Sequence, residues 1–117
     1  MSKNVIQDKS KKFAVRIINL YKYLNDNKKE YIISKQILRC GTSIGANVRE
    51  TINAQSKSDF ISKMSIALKE ADETAYWLEL LYETDFITKE QFDSINFDCT
   101  EIIKILISII KTSKSGK

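Results

Sequence analysis

Residues 41–50 read GTSIGANVRE, and whether they form a turn or the middle of a helix decides the fold. Gly-Thr-Ser and Gly-Ala-Asn are good turn formers, and two glycines four residues apart look at first like a phosphate-cradling loop. Yet Ile33, Ile37, Cys40, Gly41, Ile44, Val48 and Ile52 recur at helical spacing straight through the stretch, and the chain holds no proline. The period therefore predicts a helix. In a helix interior each glycine costs about 1 kcal/mol relative to alanine. The close approach of a second helix to Gly41, Gly45 and their small neighbours Ser43 and Ala46 is the expected offset, through backbone packing. Ser43, Asn47 and Glu50 form a polar row beside the glycines and are expected to hydrogen-bond across a helix contact, toward the third helix.

Outward from this segment, the same periodicity divides the 117 residues into four helices over about 5–25, 31–55, 57–83 and 89–112. The first carries Phe13, Ile17, Leu20, Tyr21 and Leu24 on one face, and NDNKKE follows as a polar break. Ser56 with Asp59 three residues on makes a capping-box-like start to the third, although the missing Glu or Gln leaves helices two and three nearly continuous. Phe60, Met64, Ala67, Leu68, Ala71, Ala75 and Leu78 line one face of that helix. A second stripe, Ile66, Trp77 and Leu81, predicts burial on two sides, with Trp77 set between copies of the chain or closing the bundle core. The fourth helix has the clearest start, Thr88 and Gln91 forming a capping box while Ile87 packs on Phe92. Ile95, Cys99, Ile102, Ile103, Leu106, Ile109 and Ile110 continue it, and residues 113–117 read as a fraying basic tail. Short connections between long amphipathic helices predict one all-α domain, an antiparallel up-down-up-down four-helix bundle over 1–117.

Composition narrows the function. At 43% hydrophobic and 29% charged residues, the chain is too apolar for disorder. No apolar run approaches membrane-spanning length and the opening MSKNVIQDKSKK is polar, so a cytoplasmic protein is the expectation. With no histidine, the usual general base, metal ligand and nucleophile partner are missing. Cys40 and Cys99 read as small core residues rather than ligands or a disulfide pair. Glu70 and Glu73 share a helix face and form the one conceivable carboxylate pair, more simply read as a solvated face salt-bridged to Lys63 and Lys69. No enzyme, cofactor, metal or small-molecule substrate is expected.

Charge is distributed unevenly. Residues 1–58 carry twelve Lys and Arg against four Asp and Glu, and residues 59–117 carry seven against eleven. This asymmetry fits either head-to-tail complementarity between copies or an electrostatic footprint for phosphate. The nucleic-acid candidates are Lys11, Lys12, Arg16 and Lys22 on helix one with Lys35, Arg39 and Arg49 on helix two. No base-reading motif accompanies them, so they suit phosphate contacts.

SIGANVRE (43–50) and SKSDFISKMSIALKEADETAYWLELL (56–81) resemble the 23S rRNA intervening-sequence protein family, small four-helix bundles to which the accessory proteins of diversity-generating retroelements are related. The resemblance spans nearly the whole chain. It implies assembly as a ring-like homopentamer and a poorly defined role. The retroelement relatives bind nucleic acid and a reverse transcriptase, which implies RNA or DNA, or a protein partner, as partners here. The acidic C-terminal half departs from those strongly basic relatives. Two function classes follow. One is a non-enzymatic oligomer that binds RNA or DNA through helices one and two. The other is a protein-interaction scaffold or accessory subunit using the acidic surface of helices three and four. Gly41, Ser43, Gly45, Asn47, Glu50, Glu70, Glu73, Trp77 and Leu81 are the candidate helix-contact and oligomer residues.

Overall fold

A computed structural model of the chain describes residues 2–116, with the side chains of residues 2–4 left aside. Lys117, the last residue of the expected tail, lies outside the described residues. Four α-helices follow one another: α1 (Ser2–Lys28), α2 (Ile33–Glu50), α3 (Lys57–Glu83) and α4 (Lys89–Lys114). Gly41 and Gly45 lie well inside α2, as the periodicity requires.

The glycines face α1. A Cβ built on Gly41 would stand 2.8 Å from Ile17 Cγ1, and one on Gly45 would stand 3.3 Å from the backbone oxygen of Ser10. A Cβ at Gly41 would force Ile17 to shift, and one at Gly45 would require the Ser10 backbone to give by a few tenths of an ångström, so the glycines let the two helices come this close. The polar row beside them behaves differently from its expectation. Ser43 Oγ donates to the Arg39 carbonyl at 2.7 Å, and Asn47 Nδ2 donates to the Ser43 carbonyl at 2.9 Å, both within α2. Short polar side chains reach their own helix backbone more easily than a neighbour. Glu50 alone crosses to α3, where Lys63 Nζ lies 3.1 Å from its carboxylate.

The pairs Ser10–Gly45 and Ile17–Gly41 run in opposite directions along α1 and α2. Arg39 with Glu73 and Glu50 with Lys63 do the same for α2 and α3. Cys99 with Ala71 and Phe92 with Tyr82 repeat it for α3 and α4, and Lys9 with Glu101 and Arg16 with Asp98 for α4 and α1. Neighbouring helices are therefore antiparallel around the bundle, a rod 47 × 21 × 19 Å. Its core runs the full length through Ile6, Phe13, Ile17, Leu24, Ile37, Ile44, Met64, Leu78, Ile102 and Leu106. Each such fully buried aliphatic or aromatic side chain contributes about 1.5–3 kcal/mol. No helix among the described residues is long and apolar enough to cross a membrane.

The connections depart from the predicted boundaries for local reasons. α2 stops at Glu50 rather than 55. A 3₁₀ turn over Thr51–Asn53 and the extended Ala54 follow, separating α2 from α3. That break rotates the chain, so Thr51 takes the buried place expected for Ile52, which is 54% exposed. Ser56 Oγ accepts the Asp59 amide at 3.0 Å, while the shorter Asp59 side chain reaches the Gln55 amide at 3.2 Å, one residue outside the usual box. The α4 capping box forms as predicted, with Gln91 donating its amide to Thr88 Oγ1 and accepting the Thr88 amide. α4 continues through Ser113 and Lys114, so the first two residues of the expected tail belong to the helix. α3 ends in a Schellman motif with Asp85, not glycine, in the left-handed position (φ 66°), and Phe86 N–H donates to the Leu81 carbonyl at 2.9 Å.

The start of α2 has no side-chain cap from its preceding residue. The buried Glu30 substitutes: its carboxylate accepts the amides of Ile32, Ile33 and Ser34 at 2.7–3.1 Å. A negative charge there also suits the helix N-terminus.

Gly45→Leu is expected to cost about 1–3 kcal/mol through overpacking against α1. Chemical denaturation measures it, and an unchanged midpoint would show that the close contact is not required.

Candidate nucleic-acid interface

The seven candidate cations do not share one environment. Arg16 points at α4, where Nη1 meets Asp98 Oδ2 at 2.8 Å and the Ser94 carbonyl at 3.2 Å, and Nη2 donates to Ser94 Oγ at 3.0 Å. Arg39 points at α3, pairing with Glu73 at 2.6 Å and Glu70 at 3.6 Å. Both arginines are thus engaged in holding neighbouring helices, not presented to a ligand. Being partly exposed, each such pair contributes about 1 kcal/mol or less. Lys12 lies 3.2 Å from Asp8 on the same exposed face of α1.

Lys11, Lys22, Lys35 and Arg49 are exposed and form no ion pair among the described residues. The antiparallel register places Lys22 level with Lys35 and sets Lys11 across a furrow from Arg49. That furrow, about 490 Å³, lies between α1 and α2. Ala14, Gly45 and Ala46 form its small-residue walls, and Lys11 and Arg49 line it from opposite sides. Lys11 and Lys22 are separated by about 16 Å along α1, and Lys35 and Arg49 by about 21 Å along α2, at 1.5 Å per residue. Such a surface can take up phosphates without reading bases.

The carboxylate pair is real but is not a solvated face beside Lys63 and Lys69. Its partner is Arg39 from α2, and Glu73 also accepts the Trp77 indole N–H at 3.1 Å. The guanidinium hydrogen-bonds Glu73 and lies 3.6 Å from Glu70, whose buried Oε1 has no hydrogen-bond partner among the described residues, and no cluster of three metal-ligating side chains occurs among them. Burial pushes the Cys99 thiol up to about 12 and raises that of Cys40 as well. Both are buried and free, which makes them poor nucleophiles. Thr74, a polar residue buried on the core face of α3, donates its hydroxyl to the Glu70 carbonyl at 2.8 Å and to Cys40 Sγ at 3.2 Å.

The second stripe on α3 divides. Leu81 is fully buried in the bundle core, not turned away from it, while Ile66 is 39% exposed. Trp77 is half-buried against the core, with Tyr76 edge-on at 5.3 Å. A further furrow of about 480 Å³ separates α1 from α4, floored by Leu20, Tyr23, Ile87 and Ile95. The α4 partners of helix one, Ser94, Asp98 and Glu101, escape a reading of single helices. Only the up-down topology, which sets α1 and α4 antiparallel, brings them into reach.

A family model for 23S rRNA-intervening sequence proteins matches residues 2–108. The chain belongs to this family. Among solved members, it is 66% identical to a protein with unknown function from the S23 ribosomal protein family of Bacteroides thetaiotaomicron. That match covers 95% of this chain and 99% of the other, with a TM-score of 0.94. The four-helix fold is therefore the family's fold. A comparison with curated proteins gives no match.

Proposed function

We propose that this member of the 23S rRNA-intervening sequence protein family acts as a non-enzymatic binder of nucleic-acid phosphates through the outer face of α1 and α2. The observation that carries this reading is the sorting of its cations. Arg16 and Arg39 are held by carboxylates of α4 and α3, whereas Lys11 and Arg49 converge from opposite sides on one furrow. Lys22 and Lys35 extend the same face. The family's description points to RNA as the polyanion to try first. Binding of this kind is electrostatic, insensitive to sequence and steeply salt-dependent.

Self-association is a second reading, supported by the α3 flank where Ile66 and Tyr76 are exposed beside the half-buried Trp77. An isolated bundle gains nothing from apolar groups there, and a second copy would cover them. The ring of five implied by the resemblance is the assembly we propose.

Mobility-shift titration of a structured rRNA fragment at two salt concentrations tests the first reading. Lys11→Glu with Arg49→Glu should weaken binding about tenfold or more and lower the salt slope by about 2, since each phosphate contact contributes about 0.7–0.9. Arg16→Gln with Arg39→Gln should leave affinity nearly unchanged. Absence of binding at low salt, or binding indifferent to salt, overturns it. For the second reading, Trp77→Glu should convert the oligomer to a smaller species by light scattering. An unaltered assembly, or a parent chain that is already monomeric, rejects it.

A further inference from the structure

The fold sorts charge along the rod as well as between its helices. The antiparallel register gathers residues 2–14, 42–70 and 101–116 into the half that carries the α2–α3 turn. Among its described side chains that half holds ten Lys and Arg against five Asp and Glu. The other half holds seven against ten.

The five acids of the basic half are all occupied. Asp8 pairs with Lys12, Glu50 with Lys63, Glu70 with Arg39 and Glu101 with Lys9. Asp59 accepts the Gln55 amide at the start of α3. The cations are not matched in return: Arg49, Lys57, Lys111 and Lys114 are exposed and have no ion-pair partner among the described residues. Three of them come together only through the fold. Lys57 opens α3, and its Nζ lies 3.9 Å from where a Cβ on Gly116 would stand, which brings it to the last turn of α4 with Lys111 and Lys114. In the other half the acids Asp72, Glu79, Glu83, Asp85 and Glu90 have no ion-pair partner among the described residues, and they repel the same ligand.

We infer that the α2–α3 end of the bundle is a phosphate-binding cap, formed by Lys57, Lys111 and Lys114 together with Arg49, and that the protein meets a nucleic-acid backbone end-on with its acidic end turned away. This rests on the phosphate-binding reading above and moves the weight of the contact from the Lys22–Lys35 end of α1 and α2 to the opposite tip. Nucleic acid, rather than a lipid surface, is the partner the tip fits. Interfacial membrane binding needs a broad apolar face. At this end Ile52, at 54%, is the one large apolar side chain more than half exposed among the described residues.

The test compares two triple charge reversals that change net charge equally, Lys57→Glu/Lys111→Glu/Lys114→Glu at the tip and Lys28→Glu/Lys29→Glu/Lys89→Glu at the far end, in the full chain. Fluorescence anisotropy of a labelled RNA reads affinity across a salt series, with circular dichroism as the check on folding. The tip triple should bind about tenfold or more weakly and lose about 2–3 from the slope of log K against log salt, one step per phosphate contact. The far-end triple should change affinity by less than about threefold. The milder Lys57→Gln/Lys111→Gln/Lys114→Gln triple should show the same slope loss if the reversal unfolds the chain. Equal losses from both ends, or a tip variant that binds like the parent, overturns the cap while leaving phosphate binding intact. A parent chain that binds no nucleic acid overturns both. Binding to phosphatidylserine vesicles that competes with RNA and is lost in Ile52→Ser would assign the tip to a membrane and so also overturns it.

Discussion

The contact of the Gly41–Gly45 backbone with Ile17 and Ser10 is the constraint on which the rest of the structure depends. It fixes how closely α1 and α2 approach and in what register, because only one alignment sets the glycines against these two residues. That register then decides which side chains share a level of the rod. Lys11 comes to face Arg49 and Lys22 comes beside Lys35, while Arg39 and Arg16 fall on the flanks that meet α3 and α4. The cost of two glycines in a helix, about 2 kcal/mol in propensity, is thus tied to the geometry of the cationic face as well as to the core.

Around this contact, opposite charges act as short braces between helices. The guanidinium of Arg39 bridges two carboxylates one turn apart on α3, and that of Arg16 combines Asp98 with both the side chain and the backbone of Ser94. A planar fork of donors suits such multiple acceptors better than a lysine ammonium does. The lysines are left mainly at the surface, where partly exposed pairs add little stability. Arginine braces and exposed lysines together give the bundle its polarity, since acids of the basic half are occupied and those of the other half are largely not.

Much of this was legible in the chain. The four helices, the Thr88–Gln91 box and the mid-helix place of GTSIGANVRE follow from period and capping chemistry, and both family motifs lie in helices that pack as the resemblance implies. What period cannot carry is the identity of neighbours across the bundle. Arg16 and Arg39 looked like phosphate ligands because nothing along α1 or α2 opposes them; their acids lie more than thirty residues away. Ile52 looked like core because its spacing fits a continuous helix, whereas a 3₁₀ turn shifts the phase by one residue to Thr51. Leu81 looked outward because a stripe was counted along one helix, although α2 and α4 both pack on α3 and leave it fully buried. Glu30 read as part of a polar break, yet its buried carboxylate starts α2. Lys57 is separated from Lys111 and Lys114 by more than fifty residues in sequence and meets them only at the tip.

The most direct test of the account is a double-mutant cycle between Gly41 and Ile17, read as unfolding free energies. Gly41→Ala alone should destabilise, because its Cβ would lie 2.8 Å from Ile17 Cγ1 and overpacking of about 1–3 kcal/mol exceeds the propensity gain of about 1 kcal/mol. In the Ile17→Ala background the same substitution should cost at least about 1 kcal/mol less, or stabilise outright, since the clashing atoms are gone and coupled neighbours depart from additivity by this order. Strict additivity of the two substitutions would contradict the claim that this contact sets the spacing of α1 and α2.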